Sequence, residues 1–222
     1  MLLKEVSLLL KKEFVLEIRQ KYALNGIILY LASTIFICYL SFNLMPNQLQ
    51  PLTWNALFWI IILFTAVNAV AKSFLQESGG RLMYYYTLAS ARGIIISKII
   101  YYTLLLVLLG LTGYLFYSLV LGNPVQNKGL FLLNIVLGSV GIAATLTLIS
   151  SVAAKAQSNQ TLLAVLGLPV LIPVILMTIK ISKNALDGLA WSVSQSAIIT
   201  LLAVDVMVAT LAILLFPYIW RS

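Results

Sequence analysis

IIYYTLLLVLLGLTGYLFYSLVL, residues 99–121, carries no charged residue. It is long enough to cross a bilayer as one helix, which takes roughly 20 residues. Its apolar residues are continuous rather than alternating, which argues against a barrel strand. Inside lipid its backbone groups find partners only within the segment, and a helix supplies them. Five further apolar runs of similar length lie at 24–44, 53–71, 129–152, 162–182 and 197–219, the last two holding Lys180 and Asp205. Hydrophobic residues make up 62% of the 222-residue chain and charged residues 9%, against about 25% charged in a soluble domain. The reading is an all-α integral membrane protein with six transmembrane helices.

The net charge is +8. The bases flank the spans, which points to membrane topology rather than nucleic acid. With the N-terminus inside, Lys4, Lys11, Lys12, Arg19, Lys21, Lys72, Arg81, Arg92, Lys98, Lys155 and Arg221 fall on the cytoplasmic side. Only Lys128, Lys180 and Lys183 fall outside. Both termini are therefore expected in the cytoplasm. The outer connections, around Pro46–Pro51, Gly122–Lys128 and Lys183–Ser196, are short.

Residues 1–22 read as a separate element, an amphipathic helix lying in the membrane interface, ahead of a six-helix domain at 23–222. Leu2, Leu3, Val6, Leu9, Leu10 and Phe14 share one side of this helix, while Lys4, Glu5, Lys11, Lys12 and Arg19 share the other. Glu13 and Glu17 fall on the apolar side, where lipid does not explain them. Either the helix has turned by then, or that side meets a partner.

Several chemistries are disfavoured. The chain has no histidine, which removes the commonest metal and haem ligand and the usual general base. Cys38 is its single cysteine, so it forms neither an intrachain disulfide nor a thiolate metal cluster. No G-x-x-x-x-G-K-[ST] phosphate loop is present, so ATP hydrolysis would have to come from another subunit. No secretory signal peptide is expected either.

Polar features then stand out against the oil. FLQESGGRLMYYYTLASARGIIISK, residues 74–98, is far longer than the roughly 2–8 residues a helix–helix connection needs. It sits in an expected cytoplasmic loop at about 72–98. Gly79-Gly80 breaks or bends any helix there, at about 1 kcal/mol per glycine. Leu82, Met83, Tyr84, Tyr85, Tyr86 and Leu88 offer an adhesive face, since tyrosine buries its ring while its hydroxyl stays wet. The same tyrosines are also suited to anchoring at the membrane interface, the role expected of Tyr101 and Tyr102. AAKAQSNQT, residues 153–161, is the other inside connection, and its Lys155, Ser158 and Asn159 offer a smaller contact.

Asp205 lies mid-span in LLAVDVMVATLAILL. A charge at that depth costs about 2.5–3.5 kcal/mol on insertion scales, so the residue is expected to be paired, protonated or functional. No base lies at a matching depth; Asn55, Asn68, Asn134 or water are the candidate partners. The simplest expectation is a buried hydrogen bond between helices. Pro169 and Pro173, four residues apart, each remove a backbone donor, and with Gly167 they predict a kinked or locally unwound fifth span. The fourth span is rich in Gly, Ala, Ser and Thr, which predicts close helix packing.

An interfacial N-terminal helix, six spans and a long polar loop between spans two and three resemble the permeases of type-2 ABC exporters. Phe74, Glu77, Gly80, Leu82 and Lys98, with the Leu168-Pro169 and Pro173 of the fifth span, resemble the haem exporter B family (CcmB). That is the permease family of cytochrome c maturation. The resemblance implies a partner ATP-binding subunit contacting the loop at Glu77, Gly79, Gly80, Arg81, Leu82, Tyr84, Tyr85 and Leu88. It implies further maturation proteins and a haem chaperone in a bacterial inner-membrane complex, with the permease as a homodimer. Haem would be cargo, and without histidine this chain is not expected to supply the axial ligand of haem iron. The alternatives are a type-2 exporter of a lipid, drug or polysaccharide, and a non-transporting assembly scaffold.

Overall fold

The structure, a computed structural model, describes residues 2–19, 21–43, 49–70, 89–155 and 160–221. Among these the chain forms helices α1 (Leu2–Arg19), α2 (Lys21–Asn43), α3 (Pro51–Val70), α4 (Ala91–Leu121), α5 (Lys128–Lys155), α6 (Gln160–Leu186) and α7 (Trp191–Arg221). Six of them, α2 to α7, are long and apolar enough to cross a membrane. The protein is an all-α multi-pass membrane protein, as the apolar runs predict.

The helices run up and down, so the bundle has two ends. At one, Ser150 of α5 donates to the carbonyl of Val70 at the end of α3, 3.4 Å away. There Leu9 of α1 packs with Ile94 and Ile95 of α4 and Ala212 and Phe216 of α7. At the other end the connections after α4 and α6 meet: the Asn127 amide donates to the Ala185 carbonyl at 2.9 Å. These are called the α1 end and the far end below.

Helix α5 occupies the middle of the bundle, packed against α3, α4, α6 and α7. Its small residues permit this. A methyl group on Gly138 would stand 2.7 Å from Thr178 Cγ2 of α6 and 3.0 Å from the Trp59 ring of α3. Within lipid, helices associate through such close packing rather than through a hydrophobic driving force. By contrast, α2 and α7 turn most of their apolar side chains outward, among them Leu29, Ile37, Ile199 and Val206.

Several boundaries differ from the sequence reading. Helix α4 begins eight residues earlier than the span at 99–121, at Ala91, so Arg92 and Lys98 belong to the helix and not to the loop. Ser90 caps it, its hydroxyl accepting from the Gly93 amide at 3.0 Å, and Ile94 and Ile95 are buried. The outer connection placed at Lys183–Ser196 shrinks to residues 187–190, because α6 continues to Leu186 and α7 starts at Trp191.

Helix α6 runs unbroken across Pro169 and Pro173, so the local unwinding expected there does not occur. Each proline removes one backbone donor, leaving the Val165 and Pro169 carbonyls without their usual partners four residues on. Tyr101 and Tyr102 are not interface anchors: both are buried.

Candidate functional site

The far end is closed by rings and amides. Trp54, at the start of α3, stacks on Phe58 with ring centres 5.8 Å apart and lies 4.8 Å from Tyr117 of α4. Tyr114 of α4 and Phe131 of α5 complete the cluster, 4.9 Å apart. The Trp54 indole donates to the Gly122 carbonyl at 3.0 Å, and the Tyr117 hydroxyl to the Trp54 carbonyl at 3.1 Å. One turn deeper, Trp59 Nε1 donates to Ser182 Oγ of α6 at 2.9 Å. The Ser182 hydroxyl lies 2.7 Å from Asn55 Oδ1, and Asn55 Nδ2 donates to the Ile179 carbonyl at 3.3 Å. Asn134 Nδ2 of α5 donates to the Thr178 carbonyl at 2.8 Å. Helices α3, α4, α5 and α6 are thereby tied together around side chains that are almost wholly buried.

The α1 end is built differently, from charge. Glu5 Oε1 accepts from the Ser90 amide at the start of α4, where four helical N–H groups lack intrahelical partners and favour an anion. Two turns on, Glu13 Oε1 lies 3.4 Å from Lys98 Nζ and 3.0 Å from Lys12 Nζ. Phe14 meets the edge of Tyr101 at 5.2 Å, and the Tyr101 hydroxyl donates to Glu17. Burial raises the pKa of Glu17; the Tyr101 hydrogen bond offsets this in part, and neighbouring Glu13 adds to it.

The side of α1 that holds Val6, Leu9, Glu13 and Glu17 thus faces α4, which explains the acids that lipid did not. Lys98, 1% exposed, is the buried base that receives Glu13, while Tyr101 takes Glu17. Sequence reasoning noted Glu13 and Glu17 but not their partners, and it placed Glu5 on the polar side, whereas Glu5 turns to the start of α4.

The two connections expected to meet a partner both leave from this α1 end. One joins α3 to α4 and the other α5 to α6. The Ser150–Val70 bond and the packing of Leu148 and Ala154 with the Ile94–Ile95 cluster hold the flanking helix ends side by side. Within the connections, Glu77, Gly79, Gly80, Arg81, Leu82, Tyr84, Tyr85 and Leu88 lie outside the described residues, as do Ser158 and Asn159; Lys155 is the last residue of α5.

Asp205 lies halfway between the two ends, on the buried side of α7 with Leu201, Val208 and Ala212. It is 3% exposed, and its carboxylate rests on Gly141 of α5, where a Cβ would overlap Oδ1. Neither carboxylate oxygen has a hydrogen-bond partner among the described residues. Asn55 and Asn134 are engaged with α6 instead, and Asn68 is on the outer surface of α3. Thr145 and Thr147 of α5 are also buried with hydroxyls that meet no partner among the described residues. Among the described residues no three His, Cys, Asp or Glu side chains come together as a metal site.

The described residues form a six-span helical membrane bundle with an N-terminal helix docked at one end. The chain belongs to the CcmB family: the family model described as "CcmB protein" matches residues 4–216. The family is one of ABC transporter permeases tied to haem transport and cytochrome c biogenesis. Comparison with curated proteins finds no match, and none is found among solved structures.

Proposed function

We propose that the protein is the permease subunit of an inner-membrane ABC complex for haem export and haem-chaperone release in cytochrome c maturation. A partner subunit hydrolyses ATP, and this chain carries the resulting motion across the membrane without catalysing a reaction of its own. The α1 end faces the cytoplasm. There the ATPase grips the connection between α3 and α4, around Glu77–Leu88, with the α5–α6 connection as a second contact. The far end serves as the fixed anchor about which the helices move. Haem is cargo or a partner's ligand and is not bound through its iron by this chain. The permease works as a homodimer, alongside other maturation proteins.

The observation that carries this reading is that the helix ends flanking the two connections lie side by side where α1 docks, in a chain of the CcmB family. A soluble motor touching both connections would act directly on the ends of α3, α4, α5 and α6. Co-purification tests it. Arg81→Glu and Tyr85→Ala should each weaken recovery of the ATPase with the permease at unchanged expression. Full recovery with both would refute the loop as the grip. A haem-iron ligand detected by spectroscopy of the purified chain alone would contradict the cargo assignment.

A further inference from the structure

We propose that Asp205 is a proton-binding site at the centre of the bundle, and that the bound proton holds α7 against Gly141 of α5. The carboxyl group is 3% exposed, and neither oxygen has a partner among the described residues. It rests on a glycine, so it meets helix backbone rather than a side chain that could neutralise it.

No charged group faces it from the neighbouring helices. Between its terminal Lys128 and Lys155, α5 has no charged residue, and α6 has none before Lys180. Beyond Lys98, α4 carries only tyrosines as titratable groups. Tyr101 is engaged with Glu17 and packs on Tyr102, Tyr114 with Asn123, and Tyr117 with Trp54. The acids of α1 are held at the start of α4. Val174 of α6, which a Cβ on Gly141 would approach to 2.8 Å, is apolar.

An ion in this setting lacks both a counter-charge and solvent, whereas a neutral acid needs only one acceptor for its O–H. Thr145, one turn along α5 from Gly141, has a buried hydroxyl oxygen without a partner among the described residues, and helical carbonyls keep a second lone pair. A carbonyl of this kind accepts the proton's hydrogen bond, since Thr145 and Asp205 are each without a partner among the described residues and so do not bond each other. Loss of the proton leaves an unpaired charge between α5 and α7 and drives the two helices apart to admit water. The site thereby links proton occupancy to the packing of α7, which no contact described at the α1 end provides.

Infrared spectroscopy of the full chain in lipid tests this. Asp187 and Asp205 are the chain's aspartates, so carboxyl ¹³C-labelled aspartate in an Asp187→Asn background reports Asp205 without altering it. The expected spectrum shows an isotope-shifted band of a protonated carboxylic acid, fading about tenfold per pH unit above its midpoint and absent from Asp205→Asn. A labelled band of the ionised form at every accessible pH would overturn the proposal. So would loss of the acid band when sodium replaces choline at constant pH, since that identifies a metal-cation site. Gly141→Ala should shift the acid band; an unmoved band would overturn the contact with α5.

Discussion

The two ends of the bundle are held by different forces. At the far end, Trp54, Asn55, Trp59, Tyr117 and Ser182 join four helices through buried neutral hydrogen bonds and ring contacts. At the α1 end the ties are a carboxylate on a helix start, an ion pair and an acid–tyrosine bond, all made by a helix outside the membrane spans. Neutral bonds inside a membrane protein have no competing water and lock geometry. The charged ties depend on the protonation of Glu5, Glu13 and Glu17 and join a single helix to α4, so pH or a competing charge can release them. One end is therefore suited to stay fixed and the other to move.

Trp54→Ala should have the largest effect on this contrast. It removes the central ring of the far-end cluster and leaves a cavity, a change worth about 3–5 kcal/mol in well-packed cores. Thermal unfolding in detergent should show global loss of stability. A small effect would mean that the far end is no anchor. Gly141→Ala comes next, because its methyl group overlaps Asp205 and crowds Val174. Overpacking of this kind costs about 1–3 kcal/mol, read by the same melt.

Glu13→Gln should act locally. It removes the charge facing Lys98, at about 1.5 kcal/mol for a hydrogen bond to a charged group. Hydrogen exchange should rise across residues 2–19 while the melting temperature stays close to that of the parent chain. The smallest effect is that of pH. The pKa of Glu17 is raised from 4.5 when α1 is docked, so the docked state binds the proton more tightly than the free helix. Its contribution is present below pH 4.5 and is lost as pH climbs through the raised value. Exchange protection of α1 should decline slightly over that interval, and Glu17→Gln should flatten the decline.

The spans were legible because an apolar run of about 20 residues matches the thickness of a bilayer and exceeds what most soluble core helices hold. Their ends were less so. The start of α4 depended on Ser90 acting as a cap and on Ile94 and Ile95 finding α1 and α7, which is tertiary information. The two prolines of α6 lie inside one continuous helix, Gln160–Leu186. Asp205 was conspicuous as a mid-span acid, but Gly141, its neighbour on α5, is ordinary by sequence. Glu13 and Glu17 announced a partner without naming it, since Lys98 looked like a loop base until the helix start moved. The grip residues Glu77–Leu88 rest on sequence and family alone.

Hydrogen exchange on the assembled complex, with and without ATP, tests the central claim most directly. Motion that enters at the α1 end should change exchange in α1 and in the first turns of α4, around Ser90–Lys98. The far-end segments around Trp54–Trp59 and Thr178–Ser182 should stay protected and unchanged. Nucleotide-dependent changes at Trp54–Trp59 and Thr178–Ser182, with α1 and the start of α4 silent, would contradict the account.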